Sequence, residues 1–252
     1  MAKELVKHQE PEDSLPAGYD LSELQADAAL NPQLEAGDVA LPYLTILQGL
    51  SPQVSPASPT YLPEARQGMI YNTVLGEVYE GQKEGLLIVP CAYERNLVEW
   101  VPREKGGGIV AVHEMTSSIL EQARPDERGR PLLPNGNLVV ETANHYVLFQ
   151  HPETGKWSQA ILAMSSTFLK VNRKLNNLIA ASLIPGTQTP APRWLYAYAM
   201  TTRIETKNNN SWFVPDFKKV ESPIAMDLYR HGKKFAQMVN SGKVAICWFI
   251  DD

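Results

Sequence analysis

The sequence has few cysteines, no long apolar run and no apolar signal segment. Its two cysteines, Cys91 and Cys247, lie in separate apolar segments without CxxC spacing, so we expect both to be reduced and structural. No window of about 18 apolar residues is present, which argues against a helix that spans a bilayer. The first 14 residues lack the apolar centre of a signal peptide. We therefore expect a cytoplasmic protein with no membrane partner.

The sequence also lacks the spacings that are typical of metal and catalytic sites. Its five histidines are scattered without zinc-ligand spacing, and GxSxG, HExxH and paired-carboxylate motifs are absent. The three glycines at 106–108 are not followed by the lysine and hydroxyl residue of a phosphate-binding loop. We predict no metal, no cofactor and no enzymatic activity, although acidic residues distant in sequence can converge in a fold.

Positive charge is concentrated in the last third of the chain, even though the whole chain has a net charge of -5. Residues 1–40 contain two basic and nine acidic side chains, and residues 41–164 contain nine basic and thirteen acidic ones. Residues 165–252 contain twelve basic and six acidic side chains, and two of those acids are the terminal Asp251 and Asp252. This segmental polarity permits a polyanionic ligand without requiring one.

The chain is predicted to form one mainly β domain with a mobile arm before it. Residues 1–40 are acidic and polar, with at most a short helix near Leu21 to Leu30. Residues 41–250 are rich in β-branched and aromatic segments bounded by glycine and proline, as antiparallel strands are. Residues 251–252 form an acidic C-terminal tip.

Several strands and helices of this domain are indicated by turn residues and periodicity. We predict two or three strands between Gly68 and Arg103, with Pro90 closing one of them. A short helix is predicted within His113 to Ala123. Leu138 to Gln150 and Trp157 to Met164 form a predicted hairpin, with Gly155 in its turn. The remaining predictions are a hairpin from Trp194 to Phe217, an amphipathic helix from Pro223 to Asn240, and a strand or projecting tail over residues 244–252.

The segment from Lys156 to Ile184 anchors the interpretation of function. It is predicted to run from a strand through Ser165, Ser166 and Thr167, one of which we expect to cap a helix with its side-chain oxygen. One helix face is apolar, at three- and four-residue spacing: Phe168, Val171, Leu175, Leu178, Ile179 and Ser182. Arg173, Lys174, Asn176 and Asn177 lie largely off that stripe, and the helix offers the cations Lys170, Arg173 and Lys174 within two turns. A core helix with a solvated charged face is the commoner interpretation, and a phosphate-binding face is the functional one.

Aromatic residues on predicted strands lie close in sequence to cations. Single-stranded nucleic acid is bound by cations that follow the backbone and by aromatic faces on which bases stack. Strand aromatics are more often core residues, and Tyr196 and Tyr198 share a face that can point inward. The candidate DNA-binding residues are Trp100, Arg103, Lys105, Trp157, Lys170, Arg173, Lys174, Tyr196, Lys207 and Trp212.

Four segments, taken in order, resemble tailed-phage proteins of replication and recombination modules. They are LPYLTILQGLSPQV, GMIYNTVLGEVY, a predicted hairpin VPCAYERNLVEWVPR, and ILAMSSTFLKVNRKLNNLI. The resemblance covers roughly residues 41–217 and is to single-stranded-DNA-binding proteins of the OB-fold type. It implies an OB-fold-like antiparallel barrel of about five strands, two or three flanking helices and long loops, with the nucleic acid crossing the barrel face.

The resemblance also implies a function, which is sequence-nonspecific binding of single-stranded DNA in phage DNA replication or recombination, in the host-cell cytoplasm and without catalysis. The acidic termini would then recruit replication proteins, and the oligomeric state, including a homo-oligomer, stays open. Two alternatives remain. One is a virion structural or assembly protein whose basic third forms a subunit interface, and the other is a metal-dependent nuclease or annealing enzyme.

Overall fold

The structure is a computed structural model that describes residues 19–30, 40–83, 85–127 and 129–242. Most of the predicted mobile arm therefore lies outside the described residues, as do Cys247, the predicted C-terminal strand and the acidic tip. The short helix expected near Leu21 to Leu30 is confirmed as α1 (Leu21–Ala28). The Asp20 carboxylate caps it by accepting a hydrogen bond from the Ser22 amide at 2.8 Å.

The described part of the chain is mainly β, as predicted. The other helices of the described residues are α2 (Ile119–Gln122), α3 (Leu169–Ala180) and α4 (Met226–Asn240). The strands are β1 (Leu44–Ile46), β2 (Ile70–Asn72), β3 (Val78–Tyr79), β4 (Leu86–Trp100), β5 (Ile109–Glu114), β6 (Arg124–Pro125), β7 (Pro131–Leu132), β8 (Leu138–Gln150), β9 (Trp157–Ser165), β10 (Tyr196–Lys207) and β11 (Asn210–Pro223).

The main sheet is antiparallel and curls into a half-barrel. Its strand order is β11-β10-β4-β8-β7-β6, with β5 paired to β4 and β9 paired to β8. A smaller sheet has the order β1-β2-β3. The predicted hairpins β8–β9 and β10–β11 are confirmed by continuous pairing. This architecture confirms the expected fold class, an OB-like antiparallel barrel with helices, and the described part of residues 41–250 contains three α-helices, within the two or three predicted.

Strand β4 corrects the prediction of a hairpin over VPCAYERNLVEWVPR, residues 89–103. Leu86–Trp100 is one 15-residue strand, and Pro90 lies inside it rather than at its end. The β4–β8 register shifts between Pro90 and Ala92, and such a bulge tolerates a residue that lacks a backbone N–H. Leu86 and Ile88 contact the core on one face before the bulge, and Tyr93 contacts the same core after it. The bulge thus turns odd-numbered residues toward the α3 side of the sheet.

Two helices cover opposite faces of the main sheet. Helix α3 buries Val171, Leu175 and Ile179 in the core that fills the half-barrel, and α4 buries Phe235 and Ala236 against the other face. The apolar stripe predicted for α3 is therefore confirmed. The predicted serine or threonine cap of α3 is wrong, because a 3-10 turn over Ser166–Phe168 precedes the helix and no side chain caps either element. The Leu169 amide bonds instead to the Ser166 carbonyl.

Residues 41–81 close the half-barrel by connecting its two edges. At one edge, the Ile161 amide of β9 donates to the Pro42 carbonyl at 2.8 Å. At the other edge, the Gln48 side chain donates to the Phe213 carbonyl and accepts from the Phe213 amide, both at 2.9 Å. The Thr202 amide of β10 donates to the Gly81 carbonyl at 2.7 Å. These bonds satisfy backbone groups that an open sheet edge would leave unpaired.

Candidate functional site

The exposed face of α3 carries cations that no acidic side chain of this helix neutralises. Lys174 donates to Asp216 of β11 at 2.5 Å. Lys170 and Arg173 are exposed, and neither forms an ion pair with any described residue. The helix contains no aspartate or glutamate. Two of the three predicted cations therefore remain available to an anionic ligand.

A polar groove of about 250 Å³ lies between α3 and strands β4 and β8. An ion pair between Arg95 and Glu141 joins the two strands at this groove. Arg173 lines the groove as well, so the basic face of α3 continues into it. The complete lining is Tyr93, Arg95, Glu141, Leu169, Asn172, Arg173, Asn176 and Asn177.

A buried hydrogen-bond network lies beside the groove and includes His145, which is 0% exposed. The Arg193 guanidinium lies 3.2 Å from His145 Nδ1, and since guanidinium groups only donate, Nδ1 accepts. The proton is then on Nε2, which donates to Asn172 Oδ1 at 2.7 Å. Burial lowers the pKa of His145 to about 3, and the positive charge of Arg193 acts in the same direction. His145 is therefore a neutral structural donor.

Arg193 is a largely buried cation whose hydrogen-bond partners are all neutral. Its two terminal nitrogens donate to Asn176 Oδ1, each at 3.3 Å, and its guanidinium lies 5.3 Å from the centre of the Tyr93 ring. Its Nε is buried and has no hydrogen-bond partner. Among the described residues no carboxylate forms an ion pair with it. Burial lowers the pKa of Arg193 from its ordinary value, because desolvation disfavours the charged form.

The predicted aromatic residues do not form one stacking surface. Trp100 pairs with Leu138 at one end of β8 and Trp157 pairs with Gln150 at the other. At about 3.3 Å per residue, roughly 40 Å of strand separates them. Trp157 packs against the α4-side core. Trp212 packs against the α3-side core with its indole N–H buried and unpaired.

Tyr196 is a correction to the predicted interface. Its side chain is 5% exposed, its hydroxyl donates to the Leu183 carbonyl at 2.8 Å, and the Lys219 ammonium lies 3.8 Å from its ring centre. Strand alternation places Tyr196 and Tyr198 together on the inner face of the sheet. Because the Tyr196 ring is buried there and covered by Lys219, it has no free face on which a base can stack.

The remaining predicted cations lie away from α3. Arg103 and Lys105 belong to a 3-10 turn after β4, where Lys105 is exposed. Lys207 ends β10 at the tip of the β10–β11 hairpin, opposite Asn210. The structure thus groups only Lys170, Arg173 and Lys174 of the predicted set at one site.

Several residues of the groove were absent from the predicted set, namely Tyr93, Arg95, Asn172, Asn176 and Asn177, and so was Arg193 of the network beside it. Asn172 and Asn176 are four residues apart, so their shared helix face was readable from the sequence. Tyr93 is brought to α3 by the β4 bulge and Arg193 by the 3-10 turn that precedes β10, and no local pattern indicates either.

A second pocket, of about 410 Å³, contains the buried carboxylate of Glu99. This carboxylate accepts hydrogen bonds from Asn137 at 2.6 Å and Asn135 at 3.1 Å, and His113 Nε2 lies 3.2 Å from it. These donors lower the pKa of Glu99, the Asn137 bond most strongly. The contacts fasten the loop before β8 to β4, so we interpret Glu99 as structural.

We expect the order of this loop to depend on Glu99 and on pH. A folded-state pKa below the ordinary 4.5 means that Glu99 stabilises the loop above about pH 4.5 and that this contribution is lost as the pH falls through the folded-state pKa. Amide protection at Leu133 and Gly136, measured by hydrogen exchange, should therefore decrease on acidification. In Glu99→Met, which has a similar length but no oxygen to accept from Asn135 or Asn137, we expect protection roughly tenfold lower at neutral pH and no further change on acidification. Equal protection in the two proteins at pH 7 would contradict this assignment.

Two classes of site are missing from the part of the chain that the structure describes. No group of three or more histidine, cysteine, aspartate or glutamate side chains is arranged to hold a metal ion there. Within the same residues, none of the helices has the length and apolar character needed to cross a membrane.

Comparison with known proteins gives one informative result. No curated protein and no solved structure matches the chain significantly. The family described as Pam3 phage gp34-like protein matches residues 14–245, which include the whole half-barrel, α3 and α4. This match supports the phage origin that the sequence resemblance implied. The chain therefore belongs to the family of Pam3 phage gp34-like proteins.

Proposed function

We propose that this phage protein binds single-stranded DNA without sequence preference, through the exposed face of α3, during phage DNA replication or recombination. The observation that carries the proposal is the pair of unneutralised cations, Lys170 and Arg173, beside a groove lined by asparagine amides. Binding is stoichiometric and requires no catalytic residue.

The interaction is electrostatic at its outer surface and polar within the groove. Lys170 and Arg173 are placed to contact phosphates, and each contact releases condensed counterions, so the affinity falls as salt rises. The asparagine amides can donate to phosphate oxygens or to base edges. Tyr93 is the aromatic residue of this groove, whereas Trp100 and Trp157 lie at the two ends of the sheet. The proposal therefore does not depend on tryptophan stacking.

The test is a titration of labelled oligo(dT) with the purified protein, followed by fluorescence anisotropy at low and moderate salt. We expect saturable binding that weakens with salt and weak competition by duplex DNA of the same length. Anisotropy is preferable to tryptophan quenching because Trp157 and Trp212 pack into the two cores. Absence of binding at low salt would overturn the proposal.

Two further readouts of the same titration separate the alternatives. Magnesium-dependent shortening of the oligonucleotide would identify a nuclease. Assembly into large particles in the absence of DNA, measured by light scattering, would favour a virion structural or assembly protein.

A further inference from the structure

We propose that the groove between α3 and strands β4 and β8 binds one phosphate group, supplied by the backbone of the single strand. This inference rests on the proposed function and names the ligand group that the groove holds. Arg173 and Asn177 are the direct contacts, and Arg193 is a positioning residue that acts from beneath the groove.

The first argument is the charge of Arg193. A buried guanidinium loses its hydration, and neutral acceptors replace that hydration only in part. Its partners are the Asn176 amide oxygen, the His145 ring and the Tyr93 ring. Asn176 and Tyr93 both line the groove. An anion in the groove is therefore separated from the Arg193 guanidinium by one of these side chains.

The second argument is the supply of donors at the groove. Arg173 is exposed and has no acidic partner among the described residues, and Asn177 is exposed with no side-chain hydrogen bond to any of them. Planar guanidinium and amide donors suit phosphate oxygens. Glu141 is the acidic side chain of the lining, and Arg95 pairs with it. With Arg193 beneath it, the groove keeps an excess of positive charge.

The third argument is that the network fixes the groove amides. Asn172 Oδ1 accepts from His145 and from Asn176 Nδ2, and Asn172 Nδ2 donates to the Tyr93 hydroxyl at 3.1 Å. Because His145 is neutral, this arrangement persists through the physiological pH range. The network therefore preorganises Asn172, Asn176 and Tyr93, so the side chains that binding orders are chiefly those of Arg173 and Asn177.

The experiment combines oligo(dT) titration with NMR of the asparagine side-chain amides, using inorganic phosphate as a second probe. Asn177→Asp places a negative charge at the groove on an exposed position, so the fold should be retained. Gln237→Glu on α4 is the control with the same charge change on the opposite face. We expect Asn177→Asp to weaken oligo(dT) binding roughly five- to tenfold and Gln237→Glu less than about twofold, since a fixed charge acts mainly on nearby phosphates.

Arg193→Met tests the buried charge separately from the surface. We expect it to reduce the shifts that phosphate causes at the side-chain amides of Asn176 and Asn177 while thermal unfolding shows that the protein remains folded. If Arg193→Met fails to fold, Asn177→Asp decides the question alone.

The outcomes distinguish this inference from the proposed function. Oligo(dT) binding that moves the groove amides, and that Asn177→Asp weakens selectively, supports both. Oligo(dT) binding that leaves the groove amides unmoved, with Asn177→Asp equal to Gln237→Glu, overturns the groove site and leaves the proposed function standing. Shifts with inorganic phosphate but no oligo(dT) binding overturn the proposed function and assign the groove to a small phosphate ligand. No response to either probe overturns both.

Discussion

Removing Lys170 and Arg173 together, as Lys170→Ala with Arg173→Ala, is expected to weaken oligo(dT) binding by on the order of tenfold or more at moderate salt. Both side chains are exposed and unpaired with any described residue, so their charge is available to phosphates. Each lost phosphate contact lowers the salt dependence of log K by about 0.7 for a single strand, and the double variant should lower it by about 1.4. Anisotropy titrations at four or more salt concentrations measure both quantities.

The matched control is Lys233→Ala with Lys234→Ala on α4. It removes the same two charges from exposed positions of a helix on the opposite face of the sheet. We expect its affinity to change less than about twofold and its salt slope to stay within error of the wild type. Equal losses in the two double variants would show that only net charge matters and would remove α3 from the interface.

Lys174 differs from the other two cations of α3 because it already has an acidic partner in the fold. Because Lys174 already pairs with Asp216 of β11, part of its charge is neutralised before any single-stranded DNA binds. This pairing was not visible in the sequence, where Lys174 looked equivalent to Arg173. The two are adjacent in sequence but project toward different neighbours, since consecutive helical residues differ by about 100° around the axis.

The elements that the sequence predicted well are those with a strong local signal. The stripe of α3 repeats at three- and four-residue steps, and burial of Val171, Leu175 and Ile179 follows from that period alone. The β8–β9 hairpin was similarly marked by Gly155, which adopts a φ of 66° in its turn. Local patterns of this kind decide which element forms, but they do not decide which distant residues meet it.

The groove could not be predicted because it depends on strand register. Tyr93 faces α3 only because the bulge after Pro90 changes the alternation of β4. Arg193 reaches His145 from a segment 48 positions away. Neither the bulge nor the order of strands can be read from the spacing of apolar residues.

The sequence predicted more aromatic residues available for base stacking than the structure exposes, and the reason is related. Alternation shows that Tyr196 and Tyr198 share a face, but it does not show whether that face points to water. The structure buries both, with the Tyr198 hydroxyl 3.3 Å from Ser182 Oγ of the segment after α3. A half-barrel with helices on both faces leaves little exposed aromatic surface on its central strands, so cations and amides remain as the main determinants of the candidate interface.

Replacing Gln48 by methionine is expected to lower the free energy of unfolding by about 2–4 kcal/mol, because it leaves the amide and carbonyl of Phe213 without partners at a buried edge. Gln48 makes both bonds at 2.9 Å, and Phe213 is 6% exposed. Methionine has a similar length and shape, so the loss reports the hydrogen bonds more than packing. Urea unfolding should show a lower midpoint with an unchanged m-value.

Gln48→Glu adds a pH signature to this closure of the half-barrel. At neutral pH its carboxylate can accept from the Phe213 amide but faces the Phe213 carbonyl without a proton to donate, so we expect a loss at least as large as in Gln48→Met. Protonation restores a donor, which raises the folded-state pKa of this glutamate above its unfolded value of about 4.3. Its stabilising effect is then present below about pH 4.3 and is lost as the pH rises through the folded-state pKa. Measuring Gln48→Glu against Gln48→Met at each pH cancels the separate acid effect of Glu99.

The control for Gln48→Met is Gln237→Met, at an exposed helix position without a side-chain hydrogen bond to the described residues. It should change the free energy of unfolding by less than about 0.5 kcal/mol. A Gln48→Met midpoint equal to that of Gln237→Met would show that the edge of β11 is closed by other contacts.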